Sequence, residues 1–292
     1  MALQQAYPGY LGSRGYHGGV VALLTQHGKE QVIAPVLEQG LGCTVELVTG
    51  YDTDQLGTFT REVPRPGGQL SAARLKARKG MELSGRAQGL ASEGSFGPDP
   101  HTGLFTWNVE VLVWIDEELG IEIVGMAQGP ARSGQIRTGD WQQVEAFAQK
   151  EGFPRQQLVV RAASQDDPRL DKGIADWARL REVFDARLAQ AANRQVFVEL
   201  DCRAFANPAR MQNIEKAAQD LLQRLQSTCP ACETPGYWIA ERLPGLPCAS
   251  CGRPTHVFQS ERWHCARCDY QSTRDRTDCS AAPARECGHC NP

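Results

Sequence analysis

The sequence predicts an α/β fold, in which a mixed β-sheet is flanked by helices, followed by a cysteine-rich tail. Over residues 1–227, short apolar runs with strand composition alternate with segments of helical periodicity, and one strand pair has the spacing of a hairpin. Nine of the 11 cysteines then fall between Cys229 and Cys290. At roughly 150 residues per domain, a chain of 292 residues accommodates about two domains, and we place their boundary at residues 227 and 228.

The individual elements follow from local patterns. The run GVVALLT over 19–25 is continuously apolar, which is typical of a strand buried on both faces. The segment 29–41 has a helical apolar face, although Pro35 inside it predicts a kink or a late start. Asn207 followed by Pro208 predicts a helix start. The same criteria predict strands at 44–49, 107–115, 121–124, 157–161 and 195–200, helices at 69–84, 139–151 and 172–192, and a loop over 89–98.

Composition excludes several classes of function. Lys and Arg total 31 and Asp and Glu total 34, so the net charge of −3 provides no general attraction to nucleic acid or to an anionic membrane. No apolar run approaches the ~20 residues that a membrane span requires. The N-terminus has neither the basic nor the apolar region of a secretory signal, so we expect a cytoplasmic protein with reduced cysteines.

Eight of the tail cysteines form four C-x-x-C pairs, and this spacing predicts two structural zinc ions. Two intervening residues let both sulfurs of a tight turn face one ion, and two such turns complete a tetrahedral S₄ site. A Cys₄ site is closed, whereas a catalytic zinc keeps an open position, so we expect the metal to stabilise the fold. The predicted ligands are Cys229, Cys232, Cys248, Cys251, Cys265, Cys268, Cys287 and Cys290.

The order of the pairs leaves their partners open. The second and third pairs, with Gly252 after one and Trp263 before the other, have the spacing of a zinc ribbon, and the first and fourth pairs would then meet. Sequential pairing, first with second and third with fourth, is the alternative. An iron–sulfur cluster is an alternative use of four thiolates. Cys279 and the tail histidines are not needed as ligands, because eight cysteines suffice for two ions.

The charge of the tail disfavours nucleic acid as a partner. Residues 229–292 contain seven arginines and seven acidic residues. Eight thiolates with two Zn²⁺ ions add four negative charges, which is the opposite of what phosphate binding requires. If the tail docks on a partner, we therefore expect that partner to be a protein.

The polar stretch after the first strand is a candidate anion site. Thr25, His27, Lys29 and Glu30 occupy the connection between the strand at 19–25 and its helix. The free backbone N–H groups and the positive end of a helix suit an anion at this position, and Glu30 could hold a metal ion. A solvated helix start is the alternative interpretation.

Three further stretches contain candidate functional residues, each with a structural alternative. Asp52 and Asp54, just past a strand, could share a divalent cation or act as turn residues. Arg65 and Lys76 could face a phosphate or belong to a solvated basic surface. Glu93 lies among two glycines and a proline, so it is either a general base or metal ligand in a shaped loop or part of a compact turn.

Longer motifs occur along almost the whole chain: DTDQLGTF, SEGSFGPDP, NPARMQNIEKA, and GLPCASCGRPT with CGHCNP. Together they resemble an uncharacterised bacterial family, a domain of unknown function with a Cys-rich C-terminus. This resemblance implies that the pieces belong to one protein, and it implies no activity.

A second resemblance implies chemistry. Thr25, His27 and Lys29 in a strand-to-helix loop, Lys76 followed by Ala on a helix, and Glu93 followed by Gly ahead of a hairpin resemble the inosine/xanthosine triphosphate pyrophosphatases. That family has Asn at the position of His27, and many members have two adjacent acidic residues at the position of Glu93. The resemblance covers about the first 110 residues, and it implies hydrolysis of a nucleotide or a related phosphate compound.

The mechanism implied by this resemblance is Mg²⁺-dependent hydrolysis of a small phosphorylated ligand. Glu93 or its metal would activate water, and Lys29 and Lys76 would neutralise phosphate charge. Arg203 and Arg210, which flank the predicted helix start at 207, are candidates for a further phosphate contact. The residues predicted to hold the phosphate or Mg²⁺ are Thr25, His27, Glu30, Asp52, Asp54 and Arg65.

A non-catalytic function is the alternative hypothesis. In that case the N-terminal domain binds a small ligand and the zinc tail docks on a protein partner. Hydrolysis across a panel of phosphate compounds would distinguish an enzyme from such an adaptor, and ligand-induced stabilisation without hydrolysis would favour the adaptor.

Overall fold

The computed structural model describes residues 15–53, 67–132 and 134–292. These residues confirm the predicted α/β class, with helices flanking the sheets and a cysteine-rich tail. In chain order the elements are β1 (Val20–Leu24), α1 (Glu30–Leu41), β2 (Thr44–Val48), α2 (Gln69–Ser84), β3 (Gln88–Pro98), β4 (Thr106–Asp116), β5 (Ile121–Pro130), β6 (Gln135–Thr138), α3 (Trp141–Glu151), β7 (Leu158–Ala162), β8 (Leu170–Ile174), α4 (Trp177–Gln190), β9 (Val196–Leu200), α5 (Pro208–Gln226), β10 (Trp238–Pro244), β11 (Phe258–His264) and β12 (Gln271–Asp275).

The first sheet is mixed and has the strand order β2-β1-β3-β4-β5. β1 is parallel to β2 on one side and to β3 on the other, whereas β4 and β5 continue the sheet antiparallel. The connection from β1 through α1 to β2 therefore runs in one direction across the sheet, and the connection from β2 through α2 to β3 runs in the other direction. Because such crossovers are right-handed, the two helices lie on opposite faces.

The packing shows these two faces directly. On one face, Leu90 and Trp114 join a core formed with α1 and α5. On the other face, Ala91 and Val113 pack against the small side chains of α2. Neighbouring residues of each strand thus enter different cores, because successive side chains of a strand point to opposite sides. This double burial explains the nearly continuous apolar composition of β1 and β4.

The strands after residue 132 form a second sheet rather than extending the first. Its order is β6-β9-β7-β8, all antiparallel, and α3 and α4 supply side chains to its core. The predicted helix at 172–192 is too long at its start, because residues up to Ile174 form β8. α4 begins only after Asp176, whose carboxylate accepts a hydrogen bond from the N–H of Arg179 at 2.7 Å.

The loop predicted over 89–98 is wrong, because β3 runs through it and pairs with β4 along its whole length. Gly94 and Pro98 are typical turn residues, but both belong to strand β3. Pro98 is the last strand residue. A Cβ at Gly94 would lie 2.2 Å from Glu110 Oε1 and 2.5 Å from Arg210 Nη2, so the glycine admits these side chains against the strand. The predicted hairpin at 107–124 is confirmed as β4 and β5.

Two helix predictions that rest on local signals differ in outcome. Asn207 accepts a hydrogen bond from Arg210 N at 3.0 Å and Pro208 opens α5, as predicted. The late start predicted from Pro35 is wrong, because α1 begins at Glu30 and continues through the proline to Leu41.

The tail forms a third, three-stranded antiparallel sheet in the order β10-β11-β12. It continues directly from the end of α5, where the N–H of Gly236 donates to the carbonyl oxygens of Arg224 and Ser227. The Arg224 guanidinium also lies 5.3 Å from the centre of the Trp238 ring. Within the three described ranges, no helix combines the length and the apolar character needed to cross a bilayer.

We predict that Gly125 tolerates no side chain, because α5 lies directly against it. A Cβ there would be 2.6 Å from Leu221 N and 2.7 Å from Ala217 O, which are backbone atoms that cannot rotate away. Gly125→Ala should therefore lower the free energy of unfolding by about 1–3 kcal/mol in urea titrations. Gly129→Ala, on the same strand and with no atom within 4 Å of its Cβ position, is the control and should stay within about 0.5 kcal/mol. Equal stability of the two variants would contradict the packing described here.

Candidate functional site

The connections of the first sheet change direction at β1, whose carboxyl end is therefore a topological switch point. β1 has β2 on one side and β3 on the other, with helices on opposite faces, which is the arrangement that places ligand sites at the carboxyl ends of strands. The register pairs Ala22 with Gly89 and Leu23 with Leu90. β1 ends at Leu24, whereas β3 continues to Pro98, so the second half of β3 extends beyond the end of its neighbour.

Lys29 fills part of this space. It immediately precedes α1 and is buried, and its Nζ donates a hydrogen bond to the carbonyl oxygen of Ser92 at 2.8 Å. The loop before it turns sharply, because His27 and Gly28 both have positive φ. The contact connects the β1–α1 loop with β3 across 63 residues of sequence.

Lys76 and Glu93 form a buried ion pair at the same strand. Lys76 is on the face of α2 that packs against the sheet, and Glu93 is on the face of β3 shared with Ala91. Gln69 supports the strand here, because its side-chain amide donates to the carbonyl oxygens of Glu93 and Val109 at 2.7 and 2.8 Å. The sequence-predicted trio of Lys29, Lys76 and Glu93 therefore meets around residues 92 and 93 of β3.

A second buried ion pair adjoins the first from the opposite face. Arg210 Nε lies 2.7 Å from Glu110 Oε1, and Arg210 Nη1 donates to the carbonyl oxygen of Cys202 at 2.6 Å. Asn108 donates to Glu110 Oε1 at 2.9 Å, and Asn213 donates to the Asn108 oxygen at 2.9 Å. Glu110 is fully buried and Arg210 nearly so. The hydrogen bonds from Asn213 to Asn108 and from Asn108 to Glu110 thus hold the carboxylate of the ion pair in one orientation.

Glu110 is a site residue that sequence reasoning missed. It lies within the apolar run WNVEVLVWI, which predicts only a strand. The available signal was a single carboxylate in a strand buried on both faces, since such a group needs a cationic partner. Arg210 was recognised as flanking a helix start, but its partner 100 residues away in sequence was not.

Five of the buried ionisable residues, all close to the second half of β3, form one electrostatic unit, which we call the charged cluster: Lys29, Lys76, Glu93, Glu110 and Arg210. The pKa of Lys29 is lowered to about 8, mainly by burial and then by the positive charge of Arg210. Glu93 and Glu110 act in the opposite direction, and Lys76 adds to the lowering. Among the described residues the cluster contains three cations and two carboxylates.

The other predicted phosphate and metal residues occupy different environments. Thr25 is buried, and its hydroxyl donates to the Gln26 carbonyl oxygen at 3.3 Å. His27 packs against Phe205, with ring centres 5.7 Å apart. Glu30 is half-buried in the first turn of α1, and Asp52 is exposed after β2. Asp54 and Arg65 lie outside the described residues.

Arg203, just after β9, has a partner of its own. Its guanidinium contacts the fully buried carboxylate of Asp201, with Nη2 and Oδ2 2.6 Å apart. The same guanidinium lies 4.7 Å from the centre of the Phe205 ring. Arg203 therefore stands beside the His27 loop, with its charge already paired.

The eight tail cysteines form two groups of four, and their pairing differs from both predicted arrangements. The first C-x-x-C pair meets the third, and the second meets the fourth. The two sites are therefore interleaved along the sequence. The second pair lies between the two pairs of one site, and the third pair lies between the two pairs of the other site. The groups are Cys229, Cys232, Cys265 and Cys268, which we call site A, and Cys248, Cys251, Cys287 and Cys290, which we call site B.

The sulfur geometry fits one tetrahedral ion in each group. The closest Sγ–Sγ distances are 3.7 and 3.8 Å in site A and 3.7 and 3.9 Å in site B. With Zn–S bonds of about 2.3 Å, the sulfurs of a tetrahedral site lie about 3.8 Å apart. An iron–sulfur cluster would separate its thiolates further, because they are divided between at least two irons. Each group could therefore hold one metal ion such as zinc.

The cysteines of each group differ in pKa. The side-chain hydrogen bond with Thr234 lowers the pKa of Cys232 to about 6, and the backbone N–H groups of Cys290 and His289 lower that of Cys287 to about 6. Hydrogen bonds from neighbouring cysteines and burial raise the pKa of Cys290 to about 12, and the pKa of Cys229 is raised by burial. Gly252, with φ +69°, completes the turn after Cys251, as its position predicts. The thiolate is the form that binds metal, so a metal ion would have to displace protons from the cysteines of raised pKa, and its binding would depend on pH.

The surroundings of site A support the predicted structural role of the metal. Trp263 is buried beside Cys229 and Cys265, together with Tyr237, so the tryptophan covers site A rather than a site formed by the second and third pairs. Cys279 belongs to neither group, and His256 instead lies 3.0 Å from the carboxylate of Glu286. Within the described residues, these two cysteine groups are also the only clusters of three or more potential metal ligands.

A comparison with protein families shows that one family model includes most of the residues described above. A family model described as a domain of unknown function, DUF6671, matches residues 76–292, which is most of the chain. The chain belongs to the DUF6671 family. The DUF6671 match begins at Lys76 and includes Glu93, Glu110, Arg210 and all eight clustered cysteines, whereas Lys29 precedes it. A comparison with curated proteins finds no match.

We predict that metal analysis of the purified protein finds two zinc ions per chain and that double variants reveal their pairing. Cys229→Ser/Cys265→Ser damages only site A and should leave one ion, whereas Cys229→Ser/Cys248→Ser damages both sites and should leave none. Sequential pairing would reverse these two results. Nested pairing would empty both double variants. Cys279→Ser is the control and should retain both ions.

We also predict that Lys29 makes stability depend on pH. Between its folded pKa of about 8 and its unfolded pKa of about 10.4, the unfolded chain binds a proton that the folded chain has released. The free energy of unfolding should therefore rise by about 1 kcal/mol per pH unit between pH 8 and 10 from this group. Lys29→Met should remove this slope in urea unfolding, whereas Lys79→Met on α2 should keep it. A wild-type slope in Lys29→Met would show that other groups cause it.

Proposed function

We propose that this DUF6671 protein is a metal-dependent phosphohydrolase, similar in its chemistry to nucleotide pyrophosphatases, with a structural zinc module. One observation carries the proposal. Lys29 and Lys76, from two separate stretches of sequence, contact the neighbouring residues Ser92 and Glu93 of β3, beyond the carboxyl end of β1 in a switch-point sheet. This is the position where α/β sheets bind ligands, and the residue types are those that phosphate transfer requires.

The lysines suit a bound phosphate. The charged form of Lys29 is disfavoured by burial and by Arg210, so an anion placed near it would restore that form. The positive end of α1 follows Lys29 directly, although the N–H groups of Gln31 and Val32 already donate to the carbonyl oxygens of Gly28 and Lys29 at 3.2 Å. The arrangement therefore offers positive charge to the phosphate oxygens.

The Lys76–Glu93 ion pair suits an exchange of partners on substrate binding. In the free protein each group neutralises the other in a buried environment. A substrate that brings phosphate offers Lys76 a new anion and frees the Glu93 carboxylate. Glu93 is then the group that accepts the proton of the attacking water or holds the metal that activates it.

The donors fit Mg²⁺ as a partner of the substrate rather than as a fully caged ion. Mg²⁺ commonly binds one or two carboxylates together with substrate phosphates and water. Glu93 would be its ligand in the charged cluster, because Glu110 is held by Arg210 and Asn108. Glu30, Asp52 and Asp54 are proposed as additional or water-mediated ligands. When bound, the ion would act as a Lewis acid that neutralises phosphate charge and increases the acidity of water.

A ligand-binding adaptor is the second candidate function. It is favoured by the closed Cys₄ groups, which leave no coordination position for catalysis, and by the ion pairs that satisfy the charged cluster in the free protein. In this case a phosphorylated ligand would bind at the charged cluster, and the zinc tail would dock on a protein partner.

We predict that Glu93→Gln reduces kcat at least 100-fold for nucleoside triphosphates in Mg²⁺, measured by the release of phosphate or pyrophosphate. The single change also leaves Lys76 unpaired, so it should cost about 3 kcal/mol of stability, and Lys76→Met should cost a similar amount. The double variant Glu93→Gln/Lys76→Met removes both charges and should recover most of that stability while remaining inactive. This pattern separates lost chemistry from lost folding.

The matched control is Glu82→Gln, which removes an exposed carboxylate paired with Lys79 on α2 and should change neither activity nor stability. Full activity of Glu93→Gln would exclude Glu93 from the chemistry. Stabilisation by nucleoside triphosphate without hydrolysis of any compound in the panel would favour the adaptor.

A further inference from the structure

Site A is enclosed by the hydrophobic core of the tail. Cys229 and Cys265 pack in one cluster with Tyr237 and Trp263, and both cysteines are at most 1% exposed. Among the four cysteines of this site, one residue, Cys232, is exposed to solvent. A reagent dissolved in water therefore reaches one sulfur of site A directly.

Site B is more open to solvent than site A. None of the hydrophobic clusters formed by the described residues includes a cysteine of site B. Cys251 and Cys290, one from each turn of the site, are both exposed. The four sulfurs of the site lie within 4.8 Å of one another, so the two exposed sulfurs are close neighbours. Site B thus presents two accessible thiols side by side.

The two sites also differ in how their second turns are attached to the tail. The second turn of site A connects β11 directly with β12, and the N–H of Cys265 donates to the carbonyl oxygen of Tyr270 at 3.0 Å. The second turn of site B instead follows the segment 276–286, which contains neither a strand nor an α-helix.

Two backbone hydrogen bonds join this segment to the first turn of site B. The N–H of Ala282 donates to the carbonyl oxygen of Pro247 at 2.8 Å, and the N–H of Ala249 donates to the carbonyl oxygen of Ala282 at 2.9 Å. Loss of a metal ion from site B would therefore loosen the segment after β12 and leave the three-stranded sheet with site A in place.

We propose that site B is a peroxide-sensitive metal site, whereas site A is the stable structural one. The oxidation of cysteine by peroxide depends on access to the thiolate. Reduction of one peroxide molecule to water takes two electrons, which corresponds to two thiolates joined in one disulfide. Site B has two accessible sulfurs close together and site A has one. This inference is independent of the proposed hydrolase.

The reaction is balanced with hydrogen peroxide as the oxidant. The Cys251 thiolate attacks one peroxide oxygen, the O–O bond breaks, and hydroxide leaves as the sulfur becomes a sulfenic acid. The Cys290 thiolate then attacks this sulfur, an S–S bond forms, and a second hydroxide leaves. The two sulfurs lose two electrons in total, and both hydroxides take protons from the solvent and become water. Cys248 and Cys287 remain, and two thiolates are too few to retain a tetrahedral ion.

The test exposes the full zinc-loaded chain, free of reductant, to hydrogen peroxide and follows zinc release with a chromogenic chelator. One ion per chain should leave about 10-fold faster than the other. Peptide mapping after the fast phase should find Cys251 linked to Cys290, with the four site A cysteines still able to react with a thiol reagent after denaturation. Release of both ions at one rate, earlier loss from site A, or retention of both ions would overturn the inference.

Two variants test whether access to the sulfurs causes the difference. Cys248→Ser/Cys287→Ser removes site B and should abolish the fast phase while the slow one remains. Trp263→Ala uncovers site A and should speed its zinc release about 10-fold, with the site B rate within about twofold of wild type. Trp141→Ala, on α3, is the control and should change neither rate.

The wild-type peptide map decides between the sites even if Trp263→Ala does not fold. A disulfide that contains a site A cysteine after the fast phase would overturn the assignment to site B. An unchanged site A rate in folded Trp263→Ala would overturn the explanation by access.

Discussion

The burial of charged side chains on both faces of β3 is the constraint on which the α/β part of the molecule depends. An isolated ion inside a protein costs many kcal/mol, so each buried charge must have a partner in a defined position. Glu93 meets Lys76 from the α2 face, and Glu110 meets Arg210 from the α5 face. These pairs restrict how α2 and α5 can be placed against the sheet. Apolar packing alone would allow more variation in the positions of these two helices.

Glycine is part of the same constraint. Gly94 lies where any Cβ would overlap the Glu110–Arg210 pair, so the strand can approach the charges only without a side chain. The arrangement is costly for folding in comparison with an apolar core of equal volume, because Lys29 must also be buried with its pKa lowered. Proteins retain such arrangements chiefly where ligands bind, and this supports our proposal that the charged cluster is the functional centre.

α5 joins this centre to the metal module. Arg210 in its first turn belongs to the charged cluster, and its last turn is followed directly by the chain of site A, with Gly236 bonded to the carbonyl oxygens of Arg224 and Ser227. The interleaved cysteine pairs make the tail a single unit, since neither site can be assembled without ordering a turn of the other. Metal bound at these groups would therefore supply folding free energy to a segment too small for a large core of its own.

The sequence by itself determined the fold class, the capped start of α5, the hairpin, and the identity of the clustered cysteines. It also singled out Lys29, Lys76 and Glu93, because polar residues at the ends of apolar runs are local signals. These features depend on residues within one turn or one strand, so short-range spacing is sufficient to recognise them.

Only the tertiary structure decided which distant residues meet. The strand character of 89–98 depends on pairing with β4, and the place of Glu110 depends on Arg210, 100 residues away. The interleaved order of the metal sites depends on the three-stranded sheet of the tail, which brings the first turn to the third. Local patterns carry no information about such pairings, because identical C-x-x-C turns are equally suited to any partner. Their selection rests on the packing of the whole chain.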